Sequence, residues 1–277
     1  MGYFAPESLV DALTAAADGA KIVGGCTDFY PALAPGKMPT DIVDITRVRE
    51  MRQIAKCGDG WRIGAAVTWA EIAAYPMPAY LSCLQQAAVT VGSVQIQNSA
   101  TIGGNICNAS PAADGIPPLL VLDAKLEIQS QSANRTIPLA EFITGARRVD
   151  LSQGELLTAI VIPKVMLPSG SSFVKLGNRK FLVISIAMAS ALVVVRDHRL
   201  DDVRIAVGSC APTAVRLPLL EQKLCGLSVN AVARCRILSA HLAALTPISD
   251  MRGTVEYRVM AAGELCRRAI IEAMPDG

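Results

Sequence analysis

Two glycine-centred segments constrain this chain more than any other feature. The first runs Ile22-Val23-Gly24-Gly25-Cys26-Thr27-Asp28-Phe29 and the second runs Thr101-Ile102-Gly103-Gly104-Asn105. Paired glycines allow a left-handed backbone and a close approach to a ligand, so successive amide groups can turn toward an anion. Thr27, Thr101 and Asn105 add side-chain hydrogen-bonding groups. Either segment alone is typical of an ordinary turn, but the two together indicate a phosphate-containing ligand long enough to need two clamps.

The composition narrows the class of protein. A chain of 277 residues is long enough for two domains or one large one. Hydrophobic residues make up 52% of it and charged residues only 18%, which favours extensive burial and large interfaces with partners. The net charge is +2 and only 4% of the residues are aromatic. Because the chain has few aromatic residues for base stacking and no dense run of Lys or Arg, nucleic acid is not expected as a partner.

Hydropathy and the first residues give an expected location. The longest apolar stretch, Phe181 to Val195, is too short to span a bilayer and is expected to be a buried element. The first seven residues lack the basic and apolar regions of a signal peptide. We therefore expect no membrane span and, by default, a cytoplasmic protein.

The cysteines and histidines do not form a recognisable metal site. The eight cysteines include no C-x-x-C pair, and the only histidines are His198 and His241. Free cysteines in this pattern are typical of buried or surface thiols in a reducing compartment. We expect His198 in a polar turn and His241 in a helix. The chain is predicted to hold no metal, no iron-sulfur cluster and no catalytic residue of its own.

Periodicity predicts a mixed arrangement of helices and strands. A helix over Ser8 to Ala17 with Ser8 as N-cap, followed by strands at Lys21–Val23 and Ile42–Ile45, forms a small α/β unit. A second unit begins near Trp61 and continues through a helix at Tyr80 to Val91. The second glycine segment and the residues from Ile106 to Asp114 are expected to be loop. A short helix is predicted within Pro117–Ala124, and the region from Val229 onward is predicted to be mostly helix. Strands are predicted at Lys125–Ile128, Phe173–Leu176, Ile184–Val195 and Val203–Val207. A domain boundary is expected near residue 166, before Pro168–Ser172.

The motifs resemble those of a known family. Thr101-Ile102-Gly103-Gly104-Asn105, followed by Asn108-Ala109-Ser110-Pro111-Ala112-Ala113-Asp114, resembles the signature of the FAD-binding subunit of molybdenum hydroxylases, which include xanthine dehydrogenase and carbon monoxide dehydrogenase. The resemblance extends over nearly the whole chain, through Gly24-Gly25-Cys26-Thr27-Asp28, Phe173-Val174-Lys175-Leu176 with Arg179-Lys180, Ala211-Pro212-Thr213 and Glu256-Tyr257-Arg258. Each motif alone is weak, but the combination is specific.

The resemblance implies an α+β fold with two domains. Residues 1–166 would be a PCMH-type FAD-binding domain built from two α/β subdomains, about 1–54 and 55–166. Residues 167–277 would be a C-terminal α+β flavoprotein domain with a small antiparallel sheet and helices.

The resemblance also implies a set of cofactor-binding residues. Ile22 to Phe29 and Thr101 to Asn105 would hold the FAD pyrophosphate, and Asp114 would hydrogen-bond to the cofactor. Leu157 would pack near the ring system, Ile184 would flank it, and Lys175 would approach the isoalloxazine, where positive charge raises the flavin potential. The residue types alone are also compatible with an exposed lysine, a helix-capping aspartate and, most readily, a core leucine.

The resemblance implies an electron-transfer subunit with noncovalently bound FAD. It would take electrons from a [2Fe-2S] small subunit, alongside a molybdopterin-binding large subunit, and pass them to NAD or another acceptor. Two residues depart from the family pattern: Cys26 where many bacterial members have glycine, and Val183 where Asp is frequent. A positive φ at Cys26 would cost roughly 1 kcal/mol. A structural or assembly subunit with a decayed flavin site is therefore a second hypothesis, and a stand-alone flavin oxidase is a third.

Overall fold

The computed structural model describes residues 2–34, 39–58, 60–180 and 182–275, so Phe181, the first residue of the longest apolar stretch, lies outside the described residues. The chain forms two compact units. The first comprises Met1–Ile72, Val94–Ala109 and Asp123–Lys164, and the second comprises Ala73–Ser93, Ser110–Leu122 and Val165–Gly277. Each unit is therefore assembled from three separate stretches of sequence. The domain limits expected from the sequence, 1–166 and 167–277, stay a prediction.

The first unit contains a parallel sheet followed by an antiparallel one. Its elements, in chain order, are β1 (Gly2–Phe4), α1 (Leu9–Ala17), β2 (Lys21–Val23), α2 (Phe29–Ala32), β3 (Asp41–Asp44), the 3-10 turns Ile45–Arg47 and Arg49–Met51, β4 (Ile54–Cys57), β5 (Gly60–Gly64), α3 (Trp69–Ala74), which crosses the unit limit in sequence, α5 (Val94–Ser99), α6 (Ile102–Asn108), β6 (Lys125–Gln129), β7 (Asn134–Pro138), α8 (Leu139–Phe142), β8 (Ile143–Gly145), β9 (Arg148–Val149) and β10 (Leu156–Pro163).

The parallel sheet has the strand order β1-β3-β2 and carries the predicted α/β unit. Helix α1 begins after Ser8, whose hydroxyl accepts a hydrogen bond from the Asp11 amide at 3.2 Å, and it buries Ala12, Leu13 and Ala16 on one face. This confirms the predicted helix, its N-cap and the strand at Lys21–Val23. Because β2 ends at Val23, the first glycine segment begins where the sheet stops.

The second sheet is antiparallel throughout, with the order β4-β5-β10-β6-β7. Strand β10 lies at its centre, and residues 156–160 are all buried. The pairing of β10 with β6 shifts between Leu157 and Ala159, so Thr158 forms a bulge. Its hydroxyl donates to the Glu127 carbonyl at 3.1 Å, and its own carbonyl accepts from the Ala65 amide at 2.9 Å. A bulge bends its strand and changes the direction of neighbouring side chains, and here the neighbour is Leu157.

The second unit packs helices on a four-stranded antiparallel sheet with the order β11-β12-β13-β14, which agrees with the expected C-terminal architecture. Its helices α4, α7, α9 and α11 pack against the sheet. The elements are the 3-10 turn Ala79–Leu81, α4 (Ser82–Ala88), α7 (Ile116–Val121), β11 (Ser169–Leu176), β12 (Ala187–Arg196), β13 (Arg199–Gly208), β14 (Val215–Arg216), α9 (Pro218–Leu224), α10 (Val229–Val232), the 3-10 turn Ser239–Leu242 and α11 (Val255–Glu272).

The apolar sequence of β12 is explained by burial on both faces. Residues 187–194 are all buried, and Ala261, Leu265 and Ala269 of α11 belong to the same core cluster as alternate residues of the strand. The predicted buried element is thus a core strand, although it begins at Ala187 and not at Ile184. None of the helices in the described ranges is both long and apolar enough to cross a bilayer.

Two segments differ from the sequence predictions because tertiary contacts override local preference. Residues 102–108 form helix α6 and not a loop. Residues 169–172, which follow the predicted boundary near residue 166, form the first half of β11. Ser171 accepts a hydrogen bond from the Cys83 amide at 2.9 Å, and Ser172 donates to the Ala269 carbonyl at 2.7 Å. Small polar residues fit this strand because both hydroxyls have backbone partners. The predicted helical region after Val229 also contains an irregular stretch between Leu242 and Val255.

Candidate functional site

The first glycine segment turns sharply against a neighbouring backbone. Gly25 has φ +77°, and a Cβ built on it would lie 1.8 Å from the carbonyl oxygen of Ser99. Neither the conformation nor the space allows a side chain, so glycine is required at this position. Gly24 is less confined, because its Cβ would lie 3.0 Å from the Thr101 hydroxyl and its φ is not positive.

Cys26 continues the left-handed turn with φ +59°. The positive φ expected for this departure from the family pattern is therefore present. A non-glycine residue in this region costs about 1–2 kcal/mol, so the loop holds a strained backbone. Burial raises the pKa of the Cys26 thiol, and the nearby Asp44 carboxylate adds to the effect. The side chain is accordingly a protonated thiol near neutral pH.

The second glycine segment is the N-terminal turn of α6. Thr101 is its N-cap, and the Thr101 hydroxyl accepts a hydrogen bond from the Gly104 amide at 3.0 Å. The amides of Ile102 and Gly103 donate to the carbonyls of Val67 and Ala65 at 3.0 Å and 2.9 Å. Because the protein itself satisfies these amides, this segment offers a ligand fewer backbone donors than the sequence suggested.

The two glycine segments lie in contact. A Cβ on Gly104 would lie 3.1 Å from the Gly24 carbonyl oxygen, and a Cβ on Gly103 would lie 2.6 Å from the Ala65 carbonyl oxygen. Because Gly103 and Gly104 have no side chains, α6 can approach both the first glycine segment and the backbone at Ala65. The structure thus brings together the two segments that the sequence singled out. Thr27 of the first and Gly104 of the second are 77 positions apart in the sequence.

The two glycine segments carry hydrogen-bonding groups that have no protein partner among the described residues. Among the described contacts, the backbone amides of Gly25, Cys26 and Thr27 donate to no protein acceptor. The Asn105 Oδ1 atom is buried and has no hydrogen-bond partner among the described residues. Free amides in a left-handed turn form a concavity suited to an anion. A buried acceptor without a donor is costly unless a bound group supplies one.

A cleft of about 340 Å³ opens beside the glycine segments. Six predicted site residues line it, namely Ile22, Val23, Gly24, Gly103, Gly104 and Leu157. Leu157 lies next to the Thr158 bulge and is buried, so the bulge presents an apolar residue to the cleft wall. Sequence reasoning missed a further part of the rim, which consists of Leu151, Ser152, Gln153, Gly154 and Glu155. No motif marks this rim, because it is an ordinary loop before β10.

Cys107 also lines the cleft and was not predicted. Burial raises the pKa of this thiol to about 12, although the charge of Lys21 acts in the opposite direction.

The remaining predicted residues of the first loop lie at the turn into α2. Phe29 packs edge-on against Tyr30, with ring centroids 5.1 Å apart. Asp28 accepts a hydrogen bond from the Asn108 side chain at 2.9 Å.

The second unit holds a buried polar cluster that contains two further predicted residues. The Lys175 ammonium lies 2.5 Å from Asp114 Oδ2, and their side chains are 9% and 8% exposed. Ser185, which sequence reasoning missed, donates to Asp114 Oδ1 at 2.7 Å. Lys175 also donates to the Thr90 carbonyl at 3.2 Å. Burial raises the pKa of Asp114, and Lys175 opposes that shift. Lys175 is thus one half of a buried ion pair, and the alternative of an exposed lysine is wrong.

Ile184 lies outside any strand and is 54% exposed, as is its neighbour Leu182 at 53%. The segment that carries it is fixed by Arg258, a buried cation that donates to the Ile186 carbonyl at 2.5 Å and to Asp250 at 2.6 Å. Arg258 belongs to the Glu256-Tyr257-Arg258 motif, so the motif has a structural role in this unit. Within the ranges that the structure describes, no group of three or more His, Cys, Asp or Glu side chains could hold a metal ion.

Comparison with known proteins identifies the family of this chain. Residues 1–165 match the family described as the FAD binding domain in molybdopterin dehydrogenase, and residues 172–273 match the CO dehydrogenase flavoprotein C-terminal domain. The fold and the site therefore define a flavoprotein subunit of the oxidoreductase class, with FAD as its cofactor.

Individual relatives are similar over nearly their whole length. The chain is 32% identical to a xanthine dehydrogenase FAD-binding subunit of Escherichia coli O157:H7, with 98% of this chain and 95% of the relative covered. It is 30% identical to the nicotine 6-hydroxylase medium subunit of Paenarthrobacter nicotinovorans, with 98% and 96% covered. The carbon monoxide dehydrogenase of Hydrogenophaga pseudoflava, solved without the Mo-pyranopterin moiety, superposes with a TM-score of 0.90 at 26% identity over 99% of this chain and 96% of that one. The chain belongs to the family of FAD-binding medium subunits of xanthine dehydrogenase and carbon monoxide dehydrogenase type.

Proposed function

We propose that this chain is the electron-transfer subunit of a molybdenum hydroxylase complex. It binds one FAD noncovalently, receives electrons from the [2Fe-2S] clusters of a partner small subunit, and delivers them to NAD or another acceptor. Substrate oxidation takes place in a molybdopterin-binding large subunit. A bound flavin supplies the chemistry of this relay, because it accepts and donates electrons singly or in pairs.

One observation carries the proposal: the free amides of the Gly25–Thr27 turn lie on a loop in contact with the α6 terminus that bears Asn105. The turn would hold the pyrophosphate through its amides and the Thr27 hydroxyl. Asn105 Oδ1 would accept a hydrogen bond from a hydroxyl of the cofactor. Ile22, Val23 and Leu157 would supply apolar contact along the cleft.

The other site residues have more specific roles in this proposal. Thr101, Ile102, Gly103 and Gly104 shape the contact surface, since the Thr101 hydroxyl and the amides of the other three residues are bonded within the protein. The backbone of Cys26 continues the left-handed turn, the Asn108 side chain holds Asp28, and Phe29 begins α2. Asp114 and Lys175 act as an ion pair toward the flavin, with no net charge, and Ile184 supplies an exposed apolar contact.

Flavin occupancy tests the proposal against its first competitor. The full chain, purified and then supplied with FAD, should show a flavin absorption spectrum at near-stoichiometric occupancy. A folded chain that stays colourless supports a structural or assembly subunit whose flavin site has decayed. Turnover of a reduced substrate by this chain alone would instead support a stand-alone flavin oxidase.

The partners and the acceptor follow from separate measurements. Several relatives are named as medium subunits or medium chains, which supports assembly with larger and smaller subunits. Copurification with a molybdenum-containing large chain and an iron-sulfur small chain is the expected result. Oxidation of the reduced complex by NAD, a quinone or oxygen, measured side by side, identifies the acceptor.

A cytoplasmic location is part of the same proposal. All eight cysteines are free thiols, which is typical of proteins in a reducing compartment. Fractionation of cells that express the chain with its native partners tests this point, and recovery from an extracytoplasmic fraction would contradict it.

A further inference from the structure

We propose that Asn108 is a positioning residue for the loop that binds the FAD pyrophosphate. Asn108 is the last residue of α6, and its side-chain amide bonds to that loop on one side and to the β8–β9 hairpin on the other. This inference rests on the proposed function, because it assumes that residues 24–28 bind FAD. Asn108 belongs to the sequence motif that follows the second glycine segment, but it does not line the cleft and was not among the predicted cofactor-binding residues.

The first step is that the loop needs an external anchor. Gly25 and Cys26 adopt left-handed conformations in succession, an arrangement that persists only when the surroundings enforce it. Asp28 occupies the N-cap position of α2 but makes no capping hydrogen bond there. In the described part of the chain, the bond from Asn108 Nδ2 to Asp28 Oδ2, at 2.9 Å, is the one side-chain hydrogen bond made by residues 24–29.

The second step is that the two ends of α6 contact the two ends of the loop. Gly104, in the first turn of α6, approaches the Gly24 carbonyl oxygen, and Asn108, the last residue of α6, binds Asp28. The helix therefore sets the separation between the beginning and the end of the loop. Removal of the second contact leaves the left-handed turn held at one end only.

The third step is that Asn108 is itself held in place. Arg147 donates a hydrogen bond to Asn108 Oδ1, which fixes the amide with its nitrogen toward Asp28. The Arg147 amide also donates to the Ala109 carbonyl at 2.8 Å, directly after α6 ends. Both bonds of the Asn108 side chain involve a charged partner, and such bonds are stronger than neutral ones. Asp28, Asn108 and Arg147 thus form a chain of hydrogen bonds in which only Asn108 can both donate and accept.

An exchange of the two polar groups tests this inference directly. In N108D, two carboxylates face each other and the hydrogen bond is lost. In D28N the bond survives with an amide acceptor. In D28N/N108D the bond is restored with the donor reversed, and Arg147 still has an oxygen to bind. The measurement is the Kd for FAD of the full chain by equilibrium dialysis, with thermal unfolding of the FAD-free protein as a check of folding.

The expected result is a dependence of each substitution on the other. N108D and N108A should weaken FAD binding about fivefold or more, which corresponds to the loss of one hydrogen bond. D28N and the double variant are compared with each other: once residue 28 is Asn, N108D should change FAD binding by less than about twofold. N134D, which adds the same charge at an exposed position of β7, should also bind normally.

The inference is overturned if N108D and N108A bind FAD as well as the original protein, or if N108D weakens binding as much in the D28N protein as in the original one. In those cases the original protein still binds FAD and the proposed function stands. Failure of the original protein to bind FAD would overturn the proposed function itself. If N108D does not fold, N108A and the double variant supply the comparison.

Discussion

Replacement of Gly25 by alanine separates the role of the glycine loop from the general cost of a side chain in left-handed backbone. A Cβ at this position would lie 1.8 Å from the Ser99 carbonyl oxygen, and φ is +77°. The left-handed conformation alone costs about 1–2 kcal/mol. Relief of the overlap requires the loop to move by roughly 1 Å, and overpacking of this kind costs a further 1–3 kcal/mol or so.

Gly226 provides a matched control. Its φ is +81°, but no atom lies within 4 Å of the position that a Cβ would take. Gly226→Ala should therefore reduce the free energy of unfolding by about 1 kcal/mol and leave FAD binding unchanged. Gly25→Ala should lose roughly 2–5 kcal/mol by the sum of its two costs. The loss of about two charge-assisted hydrogen bonds from the displaced loop should weaken FAD binding about 100-fold.

Urea unfolding of the FAD-free chain gives the stability change, and equilibrium dialysis gives the Kd for FAD. Gly24→Ala should fall between the two variants, because its Cβ would lie 3.0 Å from the Thr101 hydroxyl without a positive φ. If Gly25→Ala binds FAD as tightly as Gly226→Ala, the loop does not hold the pyrophosphate. If the two variants lose equal stability, the contact with Ser99 does not constrain the loop.

Two further predictions concern strain and charge. Cys26→Gly removes a side chain at φ +59° and should stabilise the chain by about 0.5–1 kcal/mol, with FAD affinity equal or higher; a loss of affinity would show that the thiol itself contributes. Lys175→Met leaves the buried Asp114 carboxylate without its cation and should cost about 3–5 kcal/mol at neutral pH. Because burial already raises the pKa of Asp114, ionisation of this carboxyl opposes folding, and the substitution raises the pKa further. The stability deficit, measured by urea unfolding, should therefore grow as pH rises above the ordinary carboxyl range and shrink in acid; a deficit independent of pH would contradict this.

Local signals in the sequence were sufficient for the elements that form within short stretches. Ser8 and the apolar spacing after it predicted α1, and the β-branched run at Lys21–Val23 predicted β2. These predictions succeeded because capping and periodicity act within one or two turns of chain. The proximity of the two glycine segments was inferred from their shared ligand chemistry and from family resemblance. Hydrophobic periodicity did not predict it.

Elements that depend on distant partners were not predictable in this way. The N-terminal turn of α6 contains Gly103 and Gly104, which have low helix propensity, and it is stabilised by Thr101 and by the carbonyls of Ala65 and Val67. The bonds from Asn108 to Asp28 and from Arg147 to Asn108 join residues 80 and 39 positions apart. The pairing of Lys175 with Asp114, 61 positions away, likewise depends on a distant partner that local sequence did not predict.

Uptake of FAD by the full chain tests the central claim most directly. The FAD-free protein is mixed with excess FAD, unbound cofactor is removed, and the flavin absorption is compared with the protein concentration. The glycine loop, its free amides and the unpartnered Asn105 oxygen predict close to one FAD per chain. A chain that is folded by thermal unfolding and yet retains no flavin would contradict the account.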